Sequence, residues 1–105
     1  MSYSIKQNDH RPVFRATLSL NGSPFNLTGV VAVRLHYRYQ RQAAQTRTMA
    51  VVDALLGVVQ YDWETGDLPS PGVVEAEVQV EYEAGRYLTF PNGGALSFNV
   101  TPEIA

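Results

Sequence analysis

The stretch VVEAEVQVEYE, residues 73–83, decides how the chain is read. Val74, Ala76, Val78, Val80 and Tyr82 take alternate positions, and Glu75, Glu77, Gln79, Glu81 and Glu83 fill the positions between. Successive side chains of a strand point to opposite faces, so alternation of this length describes a strand with one buried and one wet face. A helix would group its apolar residues three and four apart instead. The same period recurs on both sides. Phe14, Ala16, Leu18 and Leu20 alternate with Arg15, Thr17 and Ser19. Val31, Val33, Leu35, Tyr37 and Tyr39 share one phase, with Arg34, His36 and Arg38 on the other. Val59, Tyr61 and Trp63 alternate likewise, as do Leu96, Phe98 and Val100.

Turn chemistry separates these runs. NGSPFNLTG (21–29) and TGDLPSPG (65–72) are connecting loops, and Glu83-Ala84-Gly85 is a short hairpin in which Gly85 supplies a positive φ. TFPNGG (89–94) is expected to be a reversing turn between the last two strands. Residues 41–56 are ambiguous. Alanine, glutamine and arginine favour a short helix there, whereas Thr46, Thr48, Val51 and Val52 favour a strand near 46–52 followed by a loop. The strand is the expectation. About seven strands with regular turns make an all-β, two-layer antiparallel sandwich. Its 105 residues form a single domain, with 1–12 as an N-terminal arm or edge strand.

Composition narrows the function. The chain is 45% hydrophobic and 17% charged with a net charge of −2, so nothing global points to nucleic acid, whose binders usually carry a basic excess. With no cysteine there are no disulfides, zinc knuckles or thiol nucleophiles. No apolar run is long enough for a membrane span or a signal peptide, so assembly in a cytoplasm is expected. His10 and His36 are the sole candidate near-neutral bases, and no hydrolase, zincin or calcium-loop motif accompanies them. Neither catalysis nor a cofactor nor a metal is expected.

Charge is unevenly distributed. Residues 30–48 carry four arginines and no acid, while residues 62–86 carry seven acids against Arg86. If these strands neighbour one another in a sheet, arginines and glutamates pair across it. If they lie in different sheets, the domain has a basic and an acidic side suited to association between copies. The candidate interaction surface is therefore Arg34, Arg38, Arg41, Glu75, Glu77, Glu81, Glu83 and Tyr87. Tyr87 joins it because it is out of phase with Leu88 and Phe90. The other strand aromatics, Tyr37, Tyr39, Tyr61, Trp63 and Tyr82, fall on the inward phase and are assigned to the core rather than to a sugar-stacking platform.

Leu27-Thr28-Gly29, Gly57-Val58-Val59-Gln60-Tyr61, Gly72 with Ala76-Glu77, and Thr89-Phe90-Pro91 occur in an order that resembles the immunoglobulin-like N-terminal domain of phage baseplate upper proteins. The likeness spans roughly residues 13–101. It implies an immunoglobulin-like sandwich serving as a virion structural protein at a tail, neck or head. Its partners would be other virion proteins and copies of itself. In that family a helical shaft follows the domain, whereas this sequence ends at Ala105, so an accessory or decoration protein is expected. The alternative is a carbohydrate-binding module that holds a virion to cell-surface glycans.

Overall fold

A computed structural model describes residues 3–91 and 96–104. Eleven strands appear there and, among the described residues, no helix: β1 (Ser4–Lys6), β2 (Phe14–Thr17), β3 (Ser19–Leu20), β4 (Ser23–Pro24), β5 (Ala32–Tyr39), β6 (Gln45–Thr48), β7 (Ala50–Asp53), β8 (Val58–Tyr61), β9 (Gly72–Glu83), β10 (Arg86–Phe90) and β11 (Leu96–Thr101). The larger sheet runs β1-β11-β9-β5-β6, with β10 also on β9, and the smaller runs β2-β8-β7. β3 and β4 form a separate hairpin. The all-β sandwich expected from alternation is what the chain adopts.

The count exceeds seven because regular strands are interrupted. A single buried residue breaks two of them, Leu18 between β2 and β3 and Met49 between β6 and β7. At Met49 the chain leaves the larger sheet for the smaller. Its N–H stays satisfied by the Val33 carbonyl at 2.8 Å while its side chain fills the core. Residues 41–56 thus contain strand rather than helix, at 45–48 and 50–53, and that strand changes sheet.

β9 organises the rest. Its twelve residues pair with β5 along one edge, from Ala32 opposite Glu81 to Tyr39 opposite Val74. Its other edge holds β10 opposite residues 78–83 and β11 opposite residues 72–76. Both are antiparallel to β9, so β10 and β11 run in the same direction. The expected reversal at TFPNGG is therefore corrected: the flanking strands continue one path along one edge, and residues 92–95 lie outside the described part. A long central strand makes this possible by offering enough ladder for two consecutive partners. β1 joins the edge of β11 in parallel, Ser4 opposite Asn99, a pairing between chain ends that local pattern does not reveal.

The inner faces meet in one core. Val33, Leu35, Tyr37, Val74, Ala76, Val78 and Val80 from the larger sheet pack with Phe14, Val59 and Tyr61 from the smaller, and Leu27, Trp63 and Leu68 close it from loops. The alternation holds at the centre and fails at strand ends. Val31, just before β5, and Tyr82, near the end of the twelve-residue β9, are both on the inward phase yet exposed; the smaller sheet, whose strand β8 has four residues, is too short to cover the full length of β9.

Candidate functional site

The outer face of the larger sheet gathers five of the eight candidate residues. Cross-strand register places Arg38 opposite Glu75, His36 opposite Glu77 and Arg34 opposite Gln79. Residues directly opposite in a ladder share a face, so the arginine-rich and glutamate-rich strands meet side by side. Of the two charge arrangements, the first is present. Arg38 Nε lies 3.2 Å from Glu75 Oε1, and Arg34 reaches diagonally to Glu81 Oε1 at 3.1 Å. The Gly85 N–H and the Arg34 guanidinium together hold the Glu81 carboxyl below its ordinary value. Such surface pairs orient long side chains but do not decide the fold.

Tyr87 of β10 shares this face, making six, and Glu83 and Arg41 flank it. Tyr87 stands opposite Glu81 on β10, exposed and on the outer side. Glu83 pairs with Arg86 across the hairpin at 3.6 Å with both side chains exposed. Arg41 occupies the β5–β6 turn with φ 65°. Among the described residues neither Arg41 nor Glu77 takes part in an ion pair. Thr46 and Thr48 of β6 extend the face, and His36 Nδ1 lies 3.0 Å from Thr46 Oγ1. A depression of about 200 Å³ opens here, lined by His36, Arg38, Ala44, Glu75 and Glu77 among others. Sites for drug-sized molecules are usually about 300–1,000 Å³, so this hollow, rimmed by charged side chains, is small for such a ligand.

A second constellation escaped the sequence reading. Asp67 is buried in the loop between β8 and β9 and ties both sheets together. Its Oδ2 accepts the Tyr61 hydroxyl at 2.5 Å and the Glu64 N–H at 2.9 Å, while its Oδ1 meets the Arg47 guanidinium at 3.0 Å. The Tyr37 hydroxyl donates to its backbone carbonyl at 3.0 Å. Burial alone would raise the Asp67 carboxyl. Hydrogen bonds from Tyr61, the Glu64 N–H and Arg47 outweigh it and hold the carboxyl below its ordinary value. Burial, together with the Asp67 charge, pushes the Tyr37 hydroxyl up to about 12 and raises Tyr61 as well. Beside this hub Trp63 packs edge-on against Tyr37 and Tyr61, with centroids 5.3 and 5.2 Å away, and donates Nε1–H to the Tyr3 hydroxyl at 2.7 Å. Tyr37, Tyr61 and Trp63 are thus spoken for by the core. The signal in the sequence was faint: a lone acid in a Pro/Gly-rich loop, and an arginine at the inward phase of a short strand.

The residues that carried the resemblance also have structural work. Leu27 is buried, and the Asn26 side chain accepts the Thr28 N–H at 2.9 Å to fix the turn. Gly57 has φ 73°, and a Cβ there would sit 2.6 Å from the Leu18 carbonyl and 2.8 Å from that of Phe25. Phe90 packs on Phe25 with centroids 5.3 Å apart. A search of curated proteins and a search of solved structures give no match. The family model described as the BppU N-terminal domain, from the baseplate upper protein of phages, matches residues 3–104. The chain belongs to that family, and is a phage baseplate-associated domain.

Proposed function

We propose that this member of the BppU N-terminal domain family is a non-enzymatic structural part of the virion. It docks on another virion protein through the outer face of the larger sheet. The observation that carries the reading is the family match over nearly the whole chain. The character of the face supports it: paired arginines and glutamates are already held in place, so docking loses less side-chain freedom than on a disordered charged surface. Arg41 and Glu77 add one positive and one negative charge available for pairing across an interface, and Tyr87 adds an aromatic anchor. Copies of the same chain are further candidate partners.

Mass spectrometry of purified particles tests the reading directly, and absence of the chain from particles defeats it. Incorporation should fall with Glu77→Lys or Arg41→Glu, and should weaken as salt rises, because the contacts are partly exposed. Glycan contact is the second reading, and it rests on the exposed Tyr87 ring. Binding on a glycan array that disappears with Tyr87→Ala would favour it over protein docking.

A further inference from the structure

The first and last strands lie side by side. β1 pairs with β11 in parallel, Ser4 opposite Asn99, Ile5 opposite Val100 and Lys6 opposite Thr101. Among the described residues every other strand pair is antiparallel. The contact continues past the ladder. The Gln7 N–H donates to the Thr101 carbonyl and the Asn8 N–H to the Leu68 carbonyl, both at 2.8 Å. The Gln7 side chain donates Nε2–H to the Pro69 carbonyl and accepts the Glu103 N–H, each at 3.3 Å. Ile5 and Val100 are both buried. Tyr3, just before β1, packs edge-on against Phe14 and Phe98, with centroids 5.7 and 5.0 Å away. On its other edge β11 pairs with β9, from Leu96 opposite Ala76 to Val100 opposite Gly72.

The direction of this pair decides how it meets a pull. In a parallel pair, the segment before the first strand and the segment after the last leave the ladder at opposite ends. Tension between those segments acts along the two strands in opposite senses. It loads the ladder bonds together, so none opens before its neighbours. Antiparallel terminal strands would leave from one end, and the same tension would open their bonds one after another. We propose that β1 and β11 form a mechanical clamp, which resists in shear any tension applied through the two ends of the chain. Each bond is worth little alone, and parallel pairing is slightly weaker per residue than antiparallel. Simultaneous loading is what gives the pair its resistance. Ile5 fixes the register, because a slip of one residue would turn it from the core to the wet face. Gln7 fastens the exit from the ladder by tying the segment after β11 to the loop before β9. Pairing of β11 with β9 passes the load on to the centre of the larger sheet. The clamp does not depend on which surface docks, so it and the proposed function can fail separately.

Single-molecule pulling tests it, with handles attached through introduced cysteines, since the sequence has none of its own. Ser4→Cys with Glu103→Cys directs force along the two strands. Asp9→Cys with Glu103→Cys, both beyond the same end of the ladder, directs force across them. All three positions are exposed. Forced unfolding reports the barrier to unfolding, and the force along the strands should be at least about twice the force across them. Equal forces in the two directions overturn the proposal. Gln7→Pro deletes both the N–H given to Thr101 and the side-chain bridge. It should lower the force along the strands by a larger fraction than the force across them. A contact that merely stabilised the fold would act in both directions, so an equal loss in both, or no loss, also overturns the clamp. Should Gln7→Pro fail to fold, the two handle pairs on the otherwise unchanged chain decide the question.

Discussion

The two ends of the sandwich use tyrosine in opposite ways. At the Trp63 end, Tyr37, Tyr61 and Tyr39 send their hydroxyls to the Asp67 carbonyl, the Asp67 carboxylate and the Ser70 carbonyl, at 3.0, 2.5 and 2.5 Å. At the hairpin end, Tyr82 and Tyr87 are exposed and, among the described residues, make no side-chain hydrogen bond. Both ends are built from alternating strands of one sheet, so local pattern does not distinguish them. Coverage does. A loop carrying Trp63, Asp67 and Leu68 caps the first end, whereas the larger sheet outruns the smaller at the second. An end closed by ring packing and a buried carboxylate is suited to stability, and the end left open keeps apolar side chains exposed.

The sharpest way to break this comparison is to empty the closed end. Trp63→Ala should cost about 3–5 kcal/mol in denaturant unfolding, because the cavity removes packing against four rings as well as apolar burial. A loss under about 1 kcal/mol would show that the ring cluster does not hold the ends apart in stability. Asp67→Asn should cost about 2–3 kcal/mol, less than a fully buried pair because Arg47 is partly exposed and keeps some hydration. The same residue predicts a pH profile. Asp67 is held below its ordinary value, so its contribution is present above about pH 4 and drains away as pH falls through the folded-state value. Tyr37 acts on the alkaline side. Its contribution is complete below about pH 10 and is lost as pH rises toward about 12. Melting curves of Tyr37→Phe should lack much of that alkaline loss; an unchanged profile would remove Tyr37 as its cause.

At the open end the backbone and the side chains should respond differently. Gly57→Ala should destabilise by about 1–3 kcal/mol, since its φ of 73° is strained for alanine and the new Cβ meets two carbonyl oxygens. Thermal unfolding checks it, and a neutral result would mean that the turn opens easily. Leu55→Ser, at an exposed turn position, should change monomer stability by no more than about 0.5 kcal/mol. A larger loss in dilute protein would place Leu55 in the core rather than on a surface.

Much of this is legible in the chain itself. The alternation in residues 73–83 gave the central strand, and the arginine run beside an acidic run gave a pairing that the β5–β9 register then placed. The phase of Tyr87 against Leu88 and Phe90 by itself places its ring outside. The misses share a cause. Tyr82 and Val31 have the inward phase, but burial needs a covering layer as well as a direction, and the smaller sheet ends first. Met49 marks a change of sheet that looks like an ordinary strand residue. TFPNGG has the composition of a reversal, yet the strands around it keep one direction because β9 is long enough to pair with both.

The sequence by itself determined the strands, their faces and the residues able to turn the chain, because these follow from period-two geometry and from backbone preferences acting over a few residues. Tertiary structure alone decided which strands neighbour one another, which end is capped, and that Arg47 and Asp67, twenty positions apart, form one hub. Those outcomes depend on long-range pairing and on how far one layer covers another. Neither leaves a local mark in the chain.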